Sequence, residues 1–185
     1  RVVLLGPAHF VPLDGVAASN AEAWVTPLGK VPVDRKAVET LCSLPHVDCF
    51  DAAHEPEHSI EVHLPFLQVV LGEFSIVPLA VGDADEQQLA EVLEMVWGGD
   101  ETRFVISSDL SHYRDYATAC ELDAATARAI EQLDSDKLTE KRACGHLPIR
   151  GLLRSARRHQ LQARTLDVRN SGDTAGPRDQ VVGYG

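Results

Sequence analysis

Three side chains that could perform chemistry follow two predicted strands. His9 comes shortly after the apolar run 2–5, and Asp109 and His112 come just after the run that ends near residue 107. In an open α/β sheet, ligands bind beyond the carboxyl ends of the strands. If both runs are parallel strands of one sheet, we expect these residues to meet at one edge. A histidine beside a carboxylate is typical of proton transfer, although Asp109 could instead cap the next segment and leave His112 as a surface residue.

The segment 54–63 is rich in side chains that can bind metals, with three histidines and three glutamates. Pro56 breaks any helix through His54, so we predict that a helix begins near Glu57 and places His58 and Glu61 on one face. The zinc signature H-x-x-E-H fails, because Val62 stands where it needs a histidine. His58 is therefore a metal ligand only if other parts of the chain supply the rest. The alternative is an exposed helix start whose glutamates favour the positive end of the helix dipole.

Cys144 precedes a helix that we predict to start near residue 149. A cysteine near a helix N-terminus has a lowered pKa and could act as a nucleophile or a metal ligand, although a lone cysteine is more often a small buried hydrophobic residue. Cys42 lies on an apolar helix face and is interpreted as core, while Cys49 and Cys120 carry no local signal. No pair has Cys-x-x-Cys spacing, which favours a reduced, cytoplasmic compartment.

The remaining pattern predicts the elements that must position these residues. Apolar runs predict strands at 2–5, 47–50, 74–81 and 103–106, and helical periodicity predicts helices at 34–44, 85–97, 116–133 and 149–159. Residues 161–184 favour a strand, a turn and a second strand. Pro78 cannot donate to a ladder, so an edge position or a bulge is expected there. The alternation predicts one α/β domain over residues 1–185, with a largely parallel sheet.

Composition and missing motifs exclude several classes of function. The 185 residues are 44% hydrophobic and 24% charged, which is typical of a folded domain. With 17 basic and 28 acidic residues, the net charge of −11 disfavours nucleic acids and anionic membranes as partners. No apolar window is long enough to span a membrane. The phosphate-binding glycine motifs and the G-x-S-x-G elbow of α/β-hydrolases are absent.

Five segments together resemble the Memo family (mediator of cell motility), the Memo member of the AmmeMemoRadiSam grouping. They occur in the family's order across nearly the whole chain. The segments are Leu5-Gly-Pro-Ala-His9, Glu57-His58-Ser-Ile-Glu-Val-His63-Leu-Pro65, Ser107-Ser-Asp109-Leu-Ser-His112-Tyr, Cys144-Gly145 with Pro148-Ile149, and Ser171-Gly-Asp173 with Val181-Val-Gly-Tyr184.

This resemblance implies a fold like that of class III extradiol dioxygenases (LigB-like), in which helices flank a parallel or mixed central sheet. It also implies that His9, His58 and Cys144 are metal ligands and that Asp109 and His112 line the same pocket. Two imidazoles and a thiolate suit one transition metal ion rather than magnesium or calcium. The family accounts favour iron or copper over zinc.

Two departures from the family pattern accompany the resemblance. Phe10 stands where relatives often carry a second polar ring. The family's Pro-His-Ala-Gly-Tyr-like N-terminal segment does not occur in the sequence, so we expect a preceding segment to be missing.

Three functions follow from these residues. The leading hypothesis is a redox metal protein, an oxidase or dioxygenase-like enzyme acting on a small molecule, in which Asp109 and His112 move protons. The second is a binding module for a ligand or peptide, because eukaryotic relatives are described as binding phosphotyrosine peptides. The third is a hydrolase in which zinc polarises water and Asp109 acts as the base.

Overall fold

The computed structural model describes all residues, 1–185, and the chain falls into two compact units. The N-terminal unit comprises residues 1–107 and the C-terminal unit residues 108–185. In chain order, the N-terminal unit contains β1 (Val2–Pro7), β2 (Val16–Ala18), β3 (Ala23–Thr26), β4 (Gly29–Pro32), α1 (Arg35–Leu41), β5 (Val47–Cys49), α2 (Leu64–Leu71), β6 (Ile76–Val81), α3 (Glu86–Met95) and β7 (Arg103–Ile106). The C-terminal unit contains β8 (His112–Arg114), α4 (Tyr116–Glu131), α5 (His146–Arg158), β9 (Arg169–Asn170) and β10 (Val181–Tyr184).

The core of the N-terminal unit is a five-stranded mixed sheet in the order β5-β2-β6-β1-β7. Strand β1 pairs in parallel with both β6 and β7, whereas β2 runs antiparallel to β6. Every residue of β1 and β6 is buried, which explains why both are continuous apolar runs rather than alternating ones. The predicted α/β class, with helices around a mixed central sheet, is confirmed.

The first site prediction assumed that the strands before His9 and before Asp109 are parallel members of one sheet. The parallel pairing of β1 with β7 confirms this assumption. Both strands end at the same edge of the sheet, so the segment with His9 and the segment that begins at Ser107 leave from that edge. The backbone N–H of Ser107 still donates to Leu5 O, at 2.7 Å, before the chain enters the C-terminal unit.

Pro78 lies inside an interior strand, so the expected edge position or bulge is wrong. Its partner in β1 is Leu4, and β6 also pairs with β2 on its other side. The last pair on that other side is Ala18 with Leu79, so β2 ends before it reaches Pro78. Backbone groups alternate in direction along a strand, so the N–H that Pro78 lacks would point away from β1, as the carbonyl of Ile76 does. Strand β2 does not extend opposite Pro78, and therefore the missing N–H costs no hydrogen bond of the sheet.

The helices begin where side chains can satisfy their free N–H groups. Asp34 caps α1 as predicted, and its carboxylate accepts from the N–H of Ala37. Asp85 and Gln88 form a capping box at the start of α3. The last helix, α5, begins at His146 rather than near residue 149, with Gly145 as its N-cap residue. None of the helices is long and apolar enough to cross a lipid bilayer.

Two cysteines form a disulfide that the sequence did not indicate. Cys42, at the C-cap of α1, is bonded to Cys49 at the end of β5. Cys42 is half-buried, so its interpretation as a core residue is wrong. The helical spacing correctly assigns Cys42 to the region of α1, but it gives no information about Cys49, which lies on a separate strand. Cys120 and Cys144 are free thiols.

Gly6 is where β1 contacts the loop that carries His58. A Cβ at this position would overlap the Ser59 hydroxyl and lie 2.8 Å from Ser59 Cβ. We expect Gly6→Ala to lower the free energy of unfolding by about 1–3 kcal/mol, as overpacking typically does. Ser59→Gly in the same background should recover part of this loss, because it removes both atoms. Urea unfolding of the two single variants and the double variant measures the coupling, and an unchanged Gly6→Ala protein would contradict it.

Candidate functional site

A buried carboxylate, Glu57, connects two of the predicted site residues. Its side chain is only 3% exposed. Oε2 accepts from the backbone N–H of His9 at 2.6 Å, and Oε1 lies 3.0 Å from His9 Nδ1. Oε1 also accepts from the N–H groups of His58 and Ser59, at 2.9 and 3.1 Å. Burial alone would raise the pKa of Glu57, but the hydrogen bonds from His9 and His58 outweigh it and the pKa is lowered.

These hydrogen bonds also explain why the predicted helix does not begin near Glu57. The N–H groups of His58 and Ser59 are bound to the Glu57 carboxylate, so they are not part of a helical ladder. Only a single 3₁₀ turn forms at Glu61–His63, and α2 follows from Leu64. The predicted start near residue 57 is therefore wrong by about two turns of helix.

His58 is paired with Glu61 even though the two do not share a helix. Glu61 Oε1 lies 2.6 Å from His58 Nδ1, while the His58 side chain is 76% exposed. The hydrogen bond and charge of Glu61 raise the pKa of His58, because they favour the protonated imidazole. With its proton on Nδ1, His58 donates to Glu61 and keeps the Nε2 lone pair available. His9 has the same arrangement toward Glu57.

An open cleft of about 450 Å³ lies beside this pair within the N-terminal unit. It carries four carboxylates and no lysine or arginine. The cleft is lined by Ser19, Ala21, Trp24, Asp51, His54, Glu55, Glu57, His58 and Glu61.

His54 forms one wall of the cleft and packs edge-on against the Trp24 indole. Burial lowers the pKa of His54, which favours the neutral ring. Its Nε2 lies 3.1 Å from Ala17 O and donates to it, whereas Nδ1 is buried without a hydrogen-bond partner. His54 therefore makes no hydrogen bond to His9 or His58, and it serves as part of the cleft wall.

In the C-terminal unit, Cys144 lies against the turn that carries Asp109. Cys144 Sγ accepts from the N–H of Asp109 at 3.1 Å, and the N–H of Cys144 donates to Asp109 O at 3.2 Å. The Ser108 hydroxyl donates to Asp109 O and accepts from the N–H of Gly145.

Asp109 and His112 form the predicted pair. Asp109 Oδ2 lies 3.5 Å from His112 Nε2, which is an ion pair when the imidazole is protonated. Both side chains are partly exposed, so the imidazole can exchange protons with solvent. The N-cap of α4 is Asp115 rather than Asp109.

The structure thus brings the five predicted site residues together in two groups, His9 with His58 and Asp109 with His112 and Cys144. The first group belongs to the N-terminal unit and the second to the C-terminal unit. No group of three or more His, Cys, Asp or Glu side chains is placed to hold a metal ion. The assignment of His9, His58 and Cys144 as ligands stays a prediction.

Comparison with known proteins identifies the family to which these residues belong. Residues 1–185 match the family model for Memo-like proteins. The chain belongs to the Memo family. It is 35% identical to a MEMO1 family protein of Methanosarcina barkeri over 98% of this chain and 73% of the relative. It is also 37% identical to a Thermotoga neapolitana member and 34% identical to an Aquifex aeolicus member, which it matches over 69% and 73% of their lengths.

Two residues at this Memo family site were missed by sequence reasoning. The sequence pattern indicates Glu57 only as an acidic residue near a helix start, and it gives Ser108 no role of its own. Pro56 was the available signal for Glu57, because it predicts an irregular backbone whose N–H groups need acceptors. Nothing in the local sequence indicated that Ser108 would contact Gly145, 37 residues away.

Replacing Glu57 tests its role as the acceptor for this loop. We expect Glu57→Gln to lower the free energy of unfolding by about 1–3 kcal/mol at neutral pH, because an amide nitrogen would face buried N–H groups. The lowered pKa of Glu57 means that its stabilisation is full above the pKa of an unfolded glutamate and is lost as the pH falls through the folded value. The difference from wild type should therefore shrink in acid.

Urea unfolding across a pH series measures this difference. Glu55→Gln is the matched control, since Glu55 is an exposed neighbour on the same loop. A difference that stays constant down to strongly acidic pH would contradict the role given to the Glu57 carboxylate.

The His58–Glu61 pair makes a separate pH prediction for the metal-free protein. The raised pKa means that the pair stabilises the folded state fully below the pKa of an unfolded histidine, and that this contribution is lost as the pH rises through the folded value. In an NMR titration, the His58 ring protons should show a midpoint above that of a free histidine. Glu61→Gln should return the midpoint of His58 to the ordinary range.

Proposed function

We propose that this Memo family protein binds one transition metal ion, iron or copper in preference to zinc, and uses it in an oxidase or dioxygenase-like reaction on a small substrate. The proposed ligands are His9, His58 and Cys144. The observation that carries the proposal is the orientation of the two imidazoles. Each has Nδ1 hydrogen-bonded to a glutamate, as metal-binding histidines usually have, so that Nε2 is left to coordinate.

The chemistry of the donors decides which ions they suit. Neutral imidazole and thiolate are ligands for iron, copper and zinc, whereas magnesium and calcium require oxygen ligands. The Cys144 sulfur already accepts one hydrogen bond, from the N–H of Asp109. A bound iron or copper ion would supply one-electron redox chemistry. The donor types of these three residues suit such an ion, and glutamates orient the two imidazoles.

The remaining predicted residues supply proton transfer and substrate binding. Because Nε2 of His112 faces Asp109, the ring accepts or releases a proton at Nδ1, and Asp109 stabilises the protonated ring. The cleft beside His58 receives the substrate, with the Trp24 indole as its apolar wall. Its four carboxylates do not suit an anionic phosphopeptide, which disfavours the binding-module alternative for this cleft. We also propose the cytoplasm as the compartment, because Cys144 is needed as a free thiol. The Cys42–Cys49 disulfide argues against this compartment, since disulfides are rare in a reducing environment.

Metal content tests the ligand assignment. Protein purified without added metal should contain about one redox metal ion per chain, identified by elemental analysis. His9→Ala, His58→Ala and Cys144→Ser should each lower metal affinity by more than the roughly 10- to 100-fold typical of removing an outer-shell partner. Glu61→Gln should fall within that smaller range.

His159→Ala is the control, because His159 lies at the C-cap of α5, in the C-terminal unit, and not among the proposed ligands. Stoichiometric metal retained by His58→Ala would remove His58 from the ligand set. Zinc as the bound ion, together with esterase or amidase turnover, would favour the hydrolase hypothesis instead.

A further inference from the structure

The C-terminal unit contains a buried aspartate that no part of the proposed function uses. Asp123 lies on α4 and is 1% exposed. Its Oδ1 accepts from the backbone N–H of Ser111 at 2.9 Å. Its Oδ2 is buried and has no hydrogen-bond partner. A buried carboxylate is costly to desolvate, so its position beside a functional turn calls for an explanation.

The Ser111 backbone is held between two elements of this unit. Its N–H is bound by Asp123, and its carbonyl accepts from the N–H of Gly183 at 2.8 Å. The preceding residue, Leu110, donates its N–H to Gly183 O. Gly183 also packs directly on the carboxylate, because a Cβ there would overlap Asp123 Oδ2. Helix α4 and strand β10 together therefore fix the turn at residues 109–112.

This turn carries the groups that the proposed function needs. Asp109 donates its N–H to Cys144 Sγ, and its carboxylate faces His112. Ser111 lies between Asp109 and His112 in the chain, and its N–H donates to the Asp123 carboxyl group. A displacement of Ser111 would alter both contacts, since it lies two residues after Asp109 and one before His112.

We propose that Asp123 is a positioning residue for the candidate site, which acts through Ser111 to hold the Asp109 N–H on the Cys144 sulfur. The inference rests on the proposed function for its significance, since that function makes Cys144 a ligand. The unpartnered Oδ2 gives the proposal a specific consequence. Replacing this oxygen by an amide nitrogen loses no hydrogen bond, so Asp123→Asn should keep the turn in place while Asp123→Ala should not.

Amide exchange followed by NMR on the full chain tests the proposal. In Asp123→Ala, the amides of Ser111 and Asp109 should exchange about tenfold faster than in wild type, as expected when a buried hydrogen bond is lost. Asp123→Asn should stay within about threefold of wild type, and its Asp109 amide proton shift, which reports the bond to sulfur, should be unchanged.

Asp115→Ala is the matched control for a merely structural effect. Asp115 caps the same helix through the N–H of Thr118 but does not contact the turn. It should destabilise α4 without changing the Asp109 amide shift. Equal acceleration in Asp115→Ala, or none in Asp123→Ala, overturns the proposal.

A measurement on the wild-type protein covers the case in which Asp123→Ala does not fold. A scalar coupling across the hydrogen bond from Ser111 N to the Asp123 carboxyl carbon should be detectable, and its absence would also overturn the proposal. Metal content separates the two hypotheses. If wild type binds no metal, the proposed function fails, while the exchange rates still decide the role of Asp123.

Discussion

The candidate site in the N-terminal unit depends on one physical requirement, the satisfaction of the buried Glu57 carboxylate. A charged group removed from water must find hydrogen-bond donors or lose its charge. Glu57 finds them in the backbone of His9, His58 and Ser59 and in the His9 ring. The same contacts that stabilise the carboxylate therefore place two imidazoles around it and keep the loop from continuing as a helix.

The C-terminal unit solves a similar problem with different acceptors. The turn at residues 109–112 is only partly paired with β10, through Leu110 and Ser111, so the N–H groups of Asp109 and Ser111 need other partners. Asp123 supplies one from α4, and Cys144 supplies another at the start of α5. In both units, side-chain acceptors hold an irregular segment that carries candidate functional residues, and in the C-terminal unit backbone hydrogen bonds to β10 add to them.

The electrostatics of the two groups suggest complementary roles. Each imidazole proposed as a ligand faces a glutamate through Nδ1, which orients the ring and increases its basicity. The Asp109–His112 pair is partly exposed and suited to exchange protons. The adjacent cleft is rich in carboxylates, so a metal ion bound by His9 and His58 would face a negative surrounding that also stabilises its charge.

The sequence by itself determined the α/β class, the strands at 2–5 and 103–106 and the Asp34 cap, because apolar periodicity and cap chemistry act over only a few residues. It also named the five candidate residues, whose roles stay predictions. The family also followed from short motifs in order. Only the tertiary structure decided that Glu57 is buried, that Cys42 bonds to Cys49, that Pro78 lies in an interior strand and that Asp123 holds Ser111. Each of these depends on groups from distant parts of the chain approaching within a few ångströms, and local spacing carries no record of which distant groups will meet.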